Sequence, residues 1–286
     1  MQEKTKVQFT KMHGIGNDFV IIDGVSTSPL PYQDLHTLSK LVNDRKFGIG
    51  GDGLILIERG KEAPFRMRMF NPDGSEAEMC GNGIRCVAKY VKEHELTSLD
   101  NIPIETGAGL LELGIIQKNG SVDAVKVNMG QARLKRKDIP MLGNPDDEAI
   151  NVEIHVNNKA FNITAVSMGN PHIVIFANDV SKIDLEEIGP ILENHSDFPA
   201  RTNVHFVQVV SKTELIQRTW ERGAGVTLAC GTGACACLVA SYLNGLTERK
   251  ALIHLPGGDL EVEYTEDGTV FMTGPAETVF VGEITL

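Results

Sequence analysis

Along much of the chain, apolar and β-branched residues come in short runs bounded by Gly, Pro, Asn and Asp, the pattern of strands ending in turns. FVIID, LILIER, FRMRMF, VKVNMG, HIVIFA, HFVQVV, ELIQRTW, ALIHL and LEVEY all have this form. Helical spacing is rarer. DLHTLSKLVND is expected to be an amphipathic helix, and DLEEIGPILENH occupies the parallel position in the second half of the sequence. Two further segments, IRCVAKYV and ACACLVASYL, are expected to be short helices, and the second is apolar nearly all round. A surface helix keeps a polar face, so both segments are expected to be buried within the strands of their own half.

The pattern is written twice. Cys80-Gly81-Asn82-Gly83 precedes the first of these helices, and Cys230-Gly231-Thr232-Gly233 precedes the second. Upstream, Gly16-Asn17-Asp18-Phe19 is matched by Gly169-Asn170-Pro171-His172 at nearly the same interval and in the same order. An ordered double match points to duplication. The expected fold class is α+β: two pseudo-symmetric domains, each a mixed or antiparallel β-sheet barrel wrapped around a buried central helix. The boundary is expected after VKVNMG, giving halves of 1–128 and 129–272, with a final strand at about 273–286 (TVFVGEITL) crossing back to the first half.

Composition narrows the function. A length of 286 residues suits two domains, and 42% apolar content is enough for two cores. The formal net charge of −11 argues against a nucleic-acid binder, which needs clustered Lys and Arg. An anionic small molecule needs only one local positive site. The N-terminal segment has no apolar signal core and no run is long enough to span a membrane, so a cytoplasmic protein is expected. Its five cysteines are then thiols.

A cysteine at a helix start lies in the positive end of the helix dipole, which favours the thiolate. The unpaired amides beside it form a cradle for a carboxylate. Glycines there are expected to allow a tight turn and close approach to a ligand. Two such thiols on opposite sides of one carbon could remove a proton from one face and deliver one to the other. Cys86, Cys235 and Cys237, inside the apolar runs, are expected to be core residues. The cysteine spacings suit a zinc site poorly, Gly48-Ile49-Gly50-Gly51 lacks the P-loop arrangement, and no lysine stands out as a Schiff base. Metal is therefore not expected, and the residues alone leave an organic cofactor open. Asp18, Asp52, Asp73, Arg85 and His13 are expected to be structural.

MHGIGNDFV, FNPDGSEAEMCGNGIRC, MGNPH, RTNVHF and WERGAGVTLACGTGACA resemble, in order, the motifs of the diaminopimelate epimerases. Related proline-type racemases carry a His after the first Cys-Gly, where this chain has Asn82. The resemblance implies that Cys80 and Cys230 are the catalytic thiols, with Cys230 taking the proton from the LL isomer and Cys80 delivering one. It implies that Gly81, Asn82, Gly231 and Thr232 bind the α-carboxylate. Asn17, Asn71, Asn170, Asn203, Glu221 and Arg222 would hold the amines and the remote carboxylate, with His172 and Glu221 tuning the thiols. The small-molecule substrate would be diaminopimelate, with no organic cofactor or metal, and the enzyme a homodimer. Some family members carry Gln at Gly53, so that contact would be missing here.

Overall fold

The computed structural model describes residues 6–27, 34–157 and 159–285. Residues 1–5 of the N-terminal segment and Leu286 of the final run lie outside them. The chain divides into two compact units: residues up to 127 with 274 onward, and Asn128–Thr273.

In chain order the first unit contains β1 (Lys6–Gly14), β2 (Asn17–Asp23), α1 (Leu35–Asn43), β3 (Gly53–Arg59), β4 (Phe65–Phe70) and the short β5 (Glu76–Ala77). It continues with α2 (Gly81–Glu93), β6 (Asn101–Thr106), β7 (Gly109–Lys118) and β8 (Ser121–Gln131), within which the boundary falls. The second unit contains β9 (Val152–Val156), β10 (Lys159–Ser167), β11 (Pro171–Phe176), α3 (Leu185–Glu193), β12 (Asn203–Ser211), β13 (Glu214–Glu221) and β14 (Gly225–Thr227). It ends with α4 (Gly231–Leu243), β15 (Lys250–Leu255), β16 (Gly258–Tyr264) and β17 (Thr269–Gly274). The last strand, β18 (Glu277–Thr285), returns to the first unit and pairs antiparallel with β1.

The two units share one pairing scheme. In the first, β1–β2 is antiparallel, β2–β3 parallel, β3–β4 antiparallel, β4–β6 parallel, and β6–β7 and β7–β8 antiparallel. The second repeats it: β10–β11, β11–β12, β12–β13, β13–β15, β15–β16 and β16–β17 pair in the same senses, and β14 hangs on β13 as β5 hangs on β4. The strand ahead of the series differs in origin. The second unit supplies its own, β9, as a hairpin with β10, whereas the first unit takes β18 from the chain end. Both units mix strands and helices as the α+β class requires.

Register makes individual residues comparable. Phe19 faces Gly53 across β2–β3, and His172 faces Asn203 across β11–β12. Ile55 then faces Met69, and His205 faces Thr219. Thus Phe19, Ile55, Met69 and Met67 of the first unit correspond to His172, His205, Thr219 and Gln217 of the second.

Each unit wraps its second helix. Helix α4 packs against β10, β11, β12, β13, β15 and β16, and α2 packs against β1, β2 and β7. The apolar sequence of α4 explains its burial, and Cys235 and Cys237 are fully enclosed. Helix α2 is buried despite two cations. Fully buried Arg85 donates to the carbonyls of Gly81 and Pro275 at 3.0 and 3.1 Å. Lys89 reaches Val122 O at 2.8 Å and Glu93 at 3.2 Å, so these charges enter the core with acceptors attached. Helices α1 and α3 start at Asp34 and Asp184, whose carboxylates accept the amides of Thr37 and Glu187, each at 3.1 Å. Among the described residues, no helix is long and apolar enough to cross a membrane.

Candidate active site

Cys80 and Cys230 are the N-cap residues of α2 and α4, both with extended backbones. The first helical bonds run from Ile84 N to Cys80 O (2.8 Å) and from Ala234 N to Cys230 O (2.9 Å). The amides of residues 81–83 and 231–233 therefore point out of the helix ends, as an anion cradle requires.

Two of the glycines have a packing role that was not expected. Gly83 and Gly233 lie inside the first helical turns, where their role is close packing. A Cβ on Gly83 would stand 2.8 Å from Ile55 Cδ1. On Gly233 it would stand 2.3 Å from His205 Cε1 and 3.0 Å from Cys230 Sγ. The helix starts thus sit directly on β3 and β12.

In the first unit, the β1–β2 hairpin turns through Ile15 and Gly16, both at positive φ (47° and 87°), and delivers Asn17 to the thiol. Two positive-φ residues match the twist of a two-residue hairpin, although a β-branched residue is strained there. Cys80 Sγ donates to Asn17 Oδ1 at 3.7 Å, and Asn82 Nδ2 donates to the same oxygen at 3.2 Å. The amide is oriented from behind, because Asn17 Nδ2 donates to Asp52 Oδ2 at 2.7 Å. Asp52 also accepts the Asp18 amide (3.1 Å) and one arm of Arg45 (2.7 Å). Arg45 and Lys11 each reach Asp18 at 2.6 Å, and Lys11 also donates to Gly50 O. Burial opposes the Asp18 charge, but the Arg45 and Lys11 bonds outweigh it and hold the carboxyl at about 2. Asp18 and Asp52, expected as structural, thus support Asn17. Asn71, at the end of β4, belongs to a turn in which its Nδ2 donates to Ser75 Oγ at 2.9 Å.

In the second unit the corresponding asparagine is turned the other way. His172 Nε2 and Asn170 Oδ1 lie 2.8 Å apart, and Asn170 Nδ2 donates to Thr232 Oγ1 at 3.4 Å. That hydroxyl stands 3.7 Å from Cys230 Sγ. Behind it, His172 Nδ1 meets His205 Nε2 at 2.9 Å, and His205 Nδ1 meets Thr219 Oγ1 at 3.0 Å. Gln217 Nε2 completes the set, 3.3 Å from His205 Nδ1 and 2.8 Å from Thr219 Oγ1. Burial, then the neighbouring His205 and the Arg222 charge, push His172 well below its ordinary value, and burial takes His205 down to about 3. Both rings are therefore neutral at physiological pH.

Asn203, at the start of β12, donates to Pro171 O (2.8 Å) and accepts the Arg222 amide (2.9 Å). The Arg222 guanidinium donates to Ala200 O at 2.9 Å, and Glu221 is the half-buried last residue of β13. Gly53, at the head of β3, offers no side chain where its counterpart Asn203 offers an amide.

Cys80, Asn17 and Asn82 are thus brought into one cluster, and Cys230, Thr232, Asn170 and His172 into another. His205, Thr219 and Gln217 were not anticipated. Their signal was a run of polar residues at inward-facing positions of HFVQVV and ELIQRTW. Burial raises the Cys86 thiol to about 12 and pushes Cys237 well up, so both behave as core. Among the described residues, no group of three or more His, Cys, Asp or Glu is placed to hold a metal.

Structural likeness extends to proteins of low identity. The chain matches a hydroxyproline epimerase from Agrobacterium vitis with TM-score 0.70 at 16% identity, covering 100% of this chain and 94% of that one. A PhzF-family phenazine biosynthesis protein from Bacillus anthracis matches with TM-score 0.71 at 16% identity, covering 99% and 100%. These likenesses show the fold. In sequence, the diaminopimelate epimerase of Leptospira biflexa is 51% identical over 284 residues, 98% of this chain and 99% of that protein. The diaminopimelate epimerase of Methanococcus maripaludis is 50% identical over 279 residues, 97% and 99% of the two chains. The family model for diaminopimelate epimerase matches residues 9–135 and 164–279. On this evidence, the chain belongs to the diaminopimelate epimerase family.

Proposed function

We propose that the chain is an isomerase that converts LL-2,6-diaminopimelate to meso-diaminopimelate, for lysine and peptidoglycan synthesis, using two thiols and neither organic cofactor nor metal. The observation that carries this reading is a pair of cysteines capping two buried helices, Cys80 bonded to Asn17 and Cys230 linked to Asn170 through Thr232. The two halves, 1–128 with 273–286 and 129–272, act as two domains of one duplicated enzyme.

In the forward direction the Cys230 thiolate removes the α-proton of the LL isomer, and the Cys80 thiol delivers a proton to the opposite face. The hydrogen bonds suit this division. Cys80 faces a carbonyl oxygen, which accepts from a thiol, whereas Cys230 faces a hydroxyl, which can donate to a thiolate. The α-carboxylate lies against the amides of Gly81, Asn82, Gly231 and Thr232. There the helix ends stabilise the charge that develops as the proton leaves. Asn17, Asn71, Asn170, Asn203, Glu221 and Arg222 hold the amines and the remote carboxylate, Arg222 through its guanidinium fork. His172 and Glu221 tune the thiols.

The enzyme works in the cytoplasm as a homodimer. The exposed Val279, Phe280 and Val281 of β18 give a second copy an apolar surface to cover. The purified chain, without pyridoxal phosphate, is expected to convert LL-diaminopimelate to the meso isomer and to leave proline and hydroxyproline unchanged. Inversion of either imino acid instead would reject the substrate.

A further inference from the structure

The His172–His205 pair lies beneath the start of α4, where the first unit has Phe19 and Ile55. All four side chains are fully buried. Burying two imidazoles is costly unless every nitrogen is satisfied, and each of the four nitrogens here has a polar neighbour within 3.3 Å.

The direction of the bonds follows from donor and acceptor roles. Two neutral rings meeting nitrogen to nitrogen at 2.9 Å share one proton between those atoms. Asn170 Oδ1 only accepts, so His172 carries its proton on Nε2 and its Nδ1 is bare. His205 must then donate from Nε2. Its own bare Nδ1 accepts from Thr219 or Gln217. At the other end, Asn170 Nδ2 donates to Thr232 Oγ1, which leaves that hydroxyl's proton to point at Cys230 Sγ. The direction is thus set in the core, by a residue whose hydrogen bonds run to His172, Thr219 and Gln217.

We propose that His205 is a positioning residue for Cys230: by fixing the tautomer of His172 it aims the Thr232 hydroxyl at the sulfur and so favours the thiolate. The inference deepens the two-thiol reading and rests on it for its catalytic meaning, but the chain of bonds has its own test. Among the ionisable groups, Cys230 meets Thr232 and the Arg222 charge acts on His172, with Cys235 and Cys237 further along α4 and Glu221 at the end of β13. Thr219 and Gln217 on β13 are neutral. The reverse chain, with His205 donating from Nδ1, would make Thr232 an acceptor from the Cys230 S–H.

The test is the pH dependence of Cys230 alkylation by iodoacetamide in a Cys80→Ala background, which needs no substrate. His205→Leu leaves His172 Nδ1 without its donor, and the alkylation midpoint is expected to rise by about one pH unit, the scale of one hydrogen bond to a charged group. His205→Gln, whose Nε2 can occupy the imidazole Nε2 position, is expected to keep the original midpoint. Should His205→Leu fail to fold, His205→Asn serves in its place, because its shorter amide cannot reach His172. Thr232→Val is expected to raise the midpoint equally, and its combination with the His205 change to add nothing further. An unchanged or lowered midpoint in both His205→Leu and His205→Asn, or a His205→Gln shift as large as theirs, overturns the proposal. The epimerase reading would stand or fall separately, on solvent exchange by the unmodified enzyme.

Discussion

Beneath Cys80 the first unit stacks Phe19, Ile55, Met69 and Met67. At the same register positions beneath Cys230, the second unit stacks His172, His205, Thr219 and Gln217. The asparagines in front of these columns are also reversed. Asp52 draws the amide nitrogen of Asn17 away and leaves its oxygen to the thiol, whereas His172 engages the oxygen of Asn170 and leaves its nitrogen to Thr232. A duplicated frame thus keeps the helix, the cap and the hairpin, and varies the direction of the hydrogen bonds behind each sulfur. Under the two-thiol proposal, that difference suits Cys230 to start as base and Cys80 as acid in the LL-to-meso direction.

The largest expected effect removes either sulfur. Cys230→Ala and Cys80→Ala should each lower the rate of LL-to-meso conversion on the order of a thousandfold, within the range for a lost acid or base. Comparable activity in either variant would break the pairing. Next, Thr232→Val removes only the hydroxyl facing Cys230 and should lower kcat by about tenfold with a smaller change in KM. Steady-state kinetics in both directions would show whether the loss belongs to the base side.

Acid stability should separate the two columns. His172 and His205 are held below their ordinary values in the fold, while the unfolded chain binds protons below about pH 6.5. Their contribution is therefore complete above that pH. It declines as pH falls toward about 3, where His205 itself titrates. The depressed carboxyl of Asp18 in the first unit contributes above its ordinary range and is lost only as pH falls toward about 2. Hydrogen exchange at pH 5 should show the second unit opening first. Earlier opening of the first unit would contradict the contrast.

The smallest effect concerns the glycines. Gly233→Ala drives a methyl to 2.3 Å from the His205 ring, which cannot bend aside, and should cost about 1–3 kcal/mol in a denaturant melt. Gly83→Ala meets the mobile end of Ile55 at 2.8 Å, and the better helix propensity of alanine offsets part of the strain, leaving a change within about 1 kcal/mol.

Much of the frame was readable in the chain. The repeated Cys-Gly-x-Gly located both helix starts, and the apolar run of α4 announced its burial. Strands written as continuous apolar runs, such as LILIER and HIVIFA, were equally clear. Strands β1, β5, β6, β7, β9, β10, β14 and β17 were not read. In β1 the polar Thr10 and Lys11 sit among the buried positions, whereas VEIHV, with Val152, Ile154 and Val156 on one face, carried a legible alternation that was passed over. The burial of α2 was expected, but the acceptors Pro275 O and Val122 O that admit Arg85 and Lys89 lie far away in sequence and were not legible. His205 could not be paired with His172 from sequence, because only the parallel β11–β12 register brings the rings together. The packing role of Gly83 and Gly233 was hidden for a related reason: the contact that excludes a Cβ comes from a neighbouring strand.

The central claim, two thiols on opposite faces of one carbon, is tested most directly by early turnover of LL-diaminopimelate in deuterium oxide without added cofactor. Two thiols acting as separate base and acid predict that the first meso product carries deuterium at the inverted carbon while the remaining LL substrate keeps its proton. Product that retains the original proton would contradict the account.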